Sequence, residues 1–166
     1  MIKLTQAMLL ATLCFNSLAW ATGTLSIRGA VLESACAIEP DNAFQTIDLG
    51  SVPIKNIERN GASAAHPFTL RLVNCALTDS KGKQYKSIEV TFTGFDAPGN
   101  EMDKNGIRLR VIDENGRRIF PGVPVTDIPI HVGNMTLHYS VFWVGNGKRI
   151  RPGNYQTTMN ILFQYL

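Results

Sequence analysis

Apolar and polar side chains take turns, residue by residue, along much of this chain. The longest such run is GNYQTTMNILFQYL, from Gly153 to Leu166. Tyr155, Thr157, Met159, Ile161, Phe163 and Tyr165 fall on one face. Gln156, Thr158, Asn160, Leu162 and Gln164 fall on the other. A strand reverses side-chain direction at every residue, so the pattern predicts a long strand from Tyr155 with one apolar and one mainly polar face. The sequence ends at Leu166 with no turn and no returning strand to cover the far edge. The expectation is that something else pairs with that edge.

The same alternation recurs upstream. In Thr24 to Val31, Leu25, Ile27, Gly29 and Val31 share one face, with Ser26, Arg28 and Ala30 on the other. Gly29 has nothing to pack and marks a bulge or a close backbone approach. Cys36 to Ile38 reads as a short strand start. Phe68 to Cys75 predicts a strand with Phe68, Leu70 and Leu72 inward; Cys75 breaks the period, so a kink is expected near Asn74. Ser87 to Phe95, Ile107 to Ile112 and Thr136 to Val144 follow, with Asn115-Gly116 turning the chain toward Arg118 to Phe120.

The connecting segments are rich in turn formers. Pro40-Asp41-Asn42 reads as a turn, Gln45 to Leu49 alternates weakly, and Val52, Ile54 and Ile57 read as anchors in a connection. Residues 96–106 carry Pro98-Gly99 and Asn105-Gly106 and read as a loop. Pro121, Pro124 and Pro129 confine residues 121–134 to a sheet edge. No stretch of ten residues keeps apolar positions at i, i+3, i+4 and i+7, so no helix is predicted. The fold class that results is all-β, an antiparallel β-sandwich of immunoglobulin type.

Composition narrows the function. With 45% hydrophobic and 17% charged residues the chain can build a core. The net charge of +3 is too small and scattered to indicate nucleic acid. Residues 1–21 have the form of a secretory signal: Lys3, an apolar run from Ala7 to Phe15, then Ala19-Trp20-Ala21. That run is too short to span a bilayer, and no other stretch is long enough, so no membrane span is expected. Cys14 leaves with the signal. Cys36 and Cys75 remain, an even pair that reads in an exported chain as one disulfide, with two-cysteine metal binding as the weaker alternative.

Recognisable reaction chemistry is lacking. His66, His131 and His138 have no metal-ligand spacing, and there is no nucleophile elbow, phosphate loop or zinc motif. The expectation is a protein without catalytic, cofactor or metal residues. The sequon Asn134-Met135-Thr136 sits at a strand start and carries little weight.

Four segments carry a resemblance. These are LSIRGAVLESACAI at the N-terminal side, Phe68 to Cys75, GIRLRVIDENGRRI (106–119), and the C-terminal run with Gly153 fourteenth from the end and Tyr165 penultimate. Together they resemble the pilin subunits of the chaperone–usher pathway of Gram-negative bacteria, the type 1 and P pilus family. The resemblance implies an incomplete immunoglobulin-like sandwich that lacks its final strand, with an N-terminal donor-strand extension. Residues 1–21 would be the signal, 22–34 the donor extension and 35–166 the pilin domain. Leu25, Ile27, Gly29 and Val31 would fill a neighbour's groove. Gly153, Tyr155, Thr157, Met159, Ile161, Phe163, Tyr165 and Leu166 would form the strand bordering this chain's own groove, and the Leu166 carboxylate would be held by basic residues of a periplasmic chaperone.

The implied partners are that chaperone, an outer-membrane usher and neighbouring pilins. The implied destination is a surface fimbrium reached through the periplasm. The arm before Leu25 is short, as in minor P-type subunits. FQTIDLGSVPI (44–54) and HPFTLRLVNC (66–75) are similar to the terminating subunit of those pili. The alternative expectation is a single-domain adhesin binding host carbohydrate or protein through Trp143 and the 96–106 loop.

Overall fold

The computed structural model describes residues 35–95 and 101–166. The signal, the donor extension with Leu25, Ile27, Gly29 and Val31, and residues 96–100 lie outside the described residues. Eight strands follow in chain order: β1 (Ala37–Ile38), β2 (His66–Cys75), β3 (Ser87–Thr93), β4 (Ile107–Asp113), β5 (Arg118–Ile119), β6 (Val125–Pro129), β7 (Gly133–Gly145) and β8 (Asn160–Tyr165). They form two antiparallel sheets, ordered β1-β2-β7-β4-β5 and β6-β3-β8. This is the incomplete immunoglobulin-like sandwich expected of the sequence.

Alternation decides which faces meet. Phe68, Leu70 and Leu72 of β2, Ile88, Val90 and Phe92 of β3, Leu109 and Val111 of β4, and Tyr139 and Val141 of β7 are all buried in one cluster. Each fully buried apolar side chain contributes about 1.5–3 kcal/mol. Tyr139 stacks on Phe68 with ring centroids 5.5 Å apart and meets Phe92 edge-on at 4.9 Å, joining the sheets. The Cys36–Cys75 disulfide ties β1 to the end of β2. The kink near Asn74 is present: Asn74 has φ 54° and the register with β7 shifts between Leu72 and Cys75. The proline-bearing β6 is an edge strand bonded to β3.

Three short helices depart from the expectation of none: Pro40–Ala43, Ile54–Asn60 and Glu101–Lys104. None is long enough for helical periodicity to show over ten residues. Ile54–Asn60 starts after Pro53 and stops at Gly61, whose left-handed φ of 76° lets its N–H reach the Ile57 carbonyl. Only Ile57 of this helix is buried, and the anchors Ile54 and Ile57 are too few to show a helical period. The weak alternation at Gln45 to Leu49 forms no strand. No helix among the described residues is long and apolar enough to cross a membrane.

The predicted C-terminal strand is shorter than its pattern. Tyr155, Thr157 and Met159 are half-buried and Gln156 and Thr158 exposed, as alternation requires, yet β8 starts only at Asn160. Its partner runs out: Thr93 pairs with Asn160, and Gly94 at φ 86° then turns the other chain away. Residues 155–159 keep an extended side-chain pattern without a ladder to bond to.

Candidate functional site

The two sheets do not close on each other everywhere. A groove of about 1360 Å³ opens between residues 42–52 on one side and residues 151–161 with Phe163 on the other. Core side chains lie along it: Phe68 and Leu70 from β2, Leu109 from β4, Val141 from β7. Sandwich interiors are close-packed, so an open groove bordered by core residues marks a place where a packing element is absent. Among the described residues β8 is bonded on one side only, to β3.

The sequence-predicted strand residues line this feature. Gly153, Tyr155, Thr157, Met159, Ile161 and Phe163 all border the groove. Met159, Ile161, Phe163 and Tyr165 pack against the main core cluster while staying half-buried. Gly153 is explained by its neighbour: a Cβ there would sit 3.3 Å from the Tyr155 ring. Tyr155 itself donates from its hydroxyl to the Arg151 carbonyl at 2.7 Å and meets Trp143 edge-on at 6.4 Å. Ile57, Ile107 and Ile150 pack beneath this pair and finish one end of the groove.

Tyr165 stands at the other end. Its hydroxyl donates to the backbone carbonyl of Cys36 at 3.0 Å. Its ring meets Tyr85 edge-on at 6.0 Å. Burial pushes its pKa above the ordinary value. Leu166 is 53% exposed, but its backbone is fixed: its N–H donates to the Ser87 carbonyl, and its carbonyl oxygen accepts from the Lys86 N–H at 2.7 Å. Cys36 and Cys75 are joined and buried, so they serve as a brace beside the groove. The four donor residues Leu25, Ile27, Gly29 and Val31 lie outside the described residues.

The second wall was not legible in the sequence. Residues 44–52 contain Ile47 and Leu49, half-buried against the core, and Phe44, 95% exposed at the rim. Their one visible signal was the weak alternation of Gln45 to Leu49. The wall is held by side chains rather than a ladder: Gln45 Nε2 donates to the Thr69 carbonyl at 2.9 Å, and the Gly50 N–H donates to Asp48 Oδ1 at 2.8 Å. Trp143 is half-buried at the groove end. Asp113 serves a turn: its Oδ1 accepts from the Asn115 and Arg117 N–H groups. No group of three potential metal ligands occurs among the described residues.

No family model matches the chain. Curated relatives do. The chain is 29% identical over 155 residues to the PRS fimbrial minor pilin protein of Escherichia coli, covering 88% of this chain and 78% of that one. The PAP fimbrial minor pilin protein of Escherichia coli matches with the same figures. The major MR/P fimbria protein of Proteus mirabilis is 25% identical over 151 residues, covering 86% and 83%. Among solved structures, the P pilus rod subunit PapA superimposes with a TM-score of 0.67 at 23% identity, covering 80% of this chain and 100% of that one, and shows the shared fold. Sequence likeness along most of its length and a shared sandwich fold make this chain similar to the chaperone–usher fimbrial pilins, with minor P-type pilins among its relatives.

Proposed function

We propose that this subunit is polymerised by donor-strand exchange and occupies a minor position, adaptor or terminator, in its pilus. The observation that carries the reading is the open groove lined by Phe68, Leu70, Leu109 and Val141 beside a strand bonded on one side. An added strand can hydrogen-bond to such an edge while its alternate side chains fill the groove; donor-strand complementation is an established form of strand addition. If four or five positions bury apolar surface at about 1.5–3 kcal/mol each, the gross gain is on the order of 10 kcal/mol before ordering costs. That is comparable to the stability of a whole small domain, so the subunit depends on its partner strand.

In this reading a periplasmic chaperone fills the groove first, an outer-membrane usher receives the complex, and a neighbouring pilin's extension replaces the chaperone as the subunit joins the fibre. Residues 22–34 are this chain's own donor extension and residues 35–166 its pilin domain. The relatives named as minor pilins support the minor position. A single-domain adhesin is not favoured, because Trp143 lies half-buried against Tyr155 in the groove. The test is deletion of residues 22–32. Co-purification with the chaperone should persist while incorporation into the pilus is lost; incorporation at the normal level would refute the donor assignment.

A further inference from the structure

Donor-strand exchange leaves a question of register. The groove face of the C-terminal segment is uniform: every second residue from Tyr155 to Tyr165 is half-buried. Alternation penalises a slip of one residue, which would turn the incoming apolar side chains outward. It does not penalise a slip of two, which restores the same faces. Something other than the apolar pattern must set where an inserted strand stops.

The two walls supply a stop. Among the described residues, one hydrogen bond crosses between the segment 151–166 and the segment 35–52: Tyr165 Oη to the Cys36 carbonyl. Both of its ends are rigid. Tyr165 is paired with Ile88 in the ladder and braced edge-on by the buried Tyr85. Cys36 is buried, disulfide-bonded to Cys75, and followed at once by β1. From this bridge to the Trp143–Tyr155 pair no other hydrogen bond joins these two segments, which is the interval a strand can enter.

We propose that Tyr165 is a register-determining residue: its bond to Cys36 clasps the two walls at one end of the groove and blocks an incoming strand from sliding past. The proposal rests on the groove being a strand acceptor. The bond is local and its loss leaves the ring packing intact, so Tyr165→Phe separates clasping from folding.

The experiment uses the mature subunit in complex with its periplasmic chaperone. Synthetic donor-arm peptides of the pilins that assemble with this subunit, each carrying a photo-crosslinking phenylalanine derivative at its central apolar position, are added, and cross-linked positions are mapped by mass spectrometry. Wild type should give one position on the 155–165 segment. Tyr165→Phe should give that position and a second one two residues along. A companion measurement needs no substitution: peptides lengthened by two residues at one end or the other should differ in binding to wild type, with only the end pointing away from Tyr165 tolerating extension. One unchanged register in Tyr165→Phe, or equal tolerance at both ends, would overturn the clasp alone. No cross-link in wild type would overturn both the clasp and the strand-acceptor reading.

Discussion

Ile161 and Leu162 are adjacent, nearly equal in volume, and opposite in orientation. Ile161 pairs with Phe92 in the ladder, packs on the core cluster and borders the groove. Leu162 pairs with Thr91 and is 57% exposed on the outer face. Truncating a fully buried Ile to Ala costs about 2–5 kcal/mol. Ile161 is half-buried in the open subunit, so about half of that is lost there and the remainder, about 1–2.5 kcal/mol, is lost only when a strand covers it. Ile161→Ala should therefore weaken strand or chaperone binding by roughly 5- to 60-fold, at about 1.4 kcal/mol per tenfold. Leu162→Ala removes a mostly exposed side chain and should stay within about 0.5 kcal/mol. The assay is titration of a fluorescent donor-arm peptide into each variant's chaperone complex, with yield and thermal midpoint as folding controls. If Leu162→Ala weakens binding as much as Ile161→Ala, the groove face has been assigned to the wrong side of the strand.

Three further outcomes are expected. Replacing Cys36 and Cys75 by Ser opens a cross-link of sequence separation 39, which costs about 4 kcal/mol by loop-closure entropy and should lower the urea midpoint of the strand-complemented subunit by that equivalent. Gly94→Ala should be worse than Gly116→Ala: both sit at left-handed φ, but a Cβ at Gly94 meets the Thr158 carbonyl at 2.7 Å while Gly116 faces open space. About 1–2 kcal/mol of backbone strain applies to both and about 1–3 kcal/mol of overpacking to Gly94 alone, readable as denaturation midpoints. Burial, reinforced by Asp113, raises the Tyr139 pKa from 10.0 to about 12. The unfolded chain then releases this proton first, so the stability it contributes is complete below about pH 10 and is lost as pH rises toward 12; urea midpoints should fall across that window in wild type and less in Tyr139→Phe.

Strand identity was readable from sequence because burial on one sheet face writes a period of two directly into residue type. Phe68-Leu70-Leu72 and Ile88-Val90-Phe92 appear in the core as their alternation predicts. Helix Ile54–Asn60 escaped notice because it buries one residue, and the anchors Ile54 and Ile57 are too few to show a period. The start of β8 was misplaced because hydrogen bonding needs a partner: the side-chain pattern reaches back to Tyr155, but β3 has ended and Gly94 has turned.

The C-terminal segment divides the two kinds of information. Its alternating face, and the turns and the Cys36 and Cys75 pair upstream of it, are local properties, set by residue type, and they determine an all-β sandwich and its inward-facing side chains. Which edges stay apart is a matter of sheet order. Residues 44–52 become the opposite wall through Gln45 bonding to Thr69, and Tyr165 reaches Cys36 across 129 residues of chain. Such contacts depend on where two sheets bring distant backbone together, and no periodicity encodes that. The face of the last strand was therefore decided by its own residues, while the groove beside it, and the single bond that closes one end, were decided only by the tertiary fold.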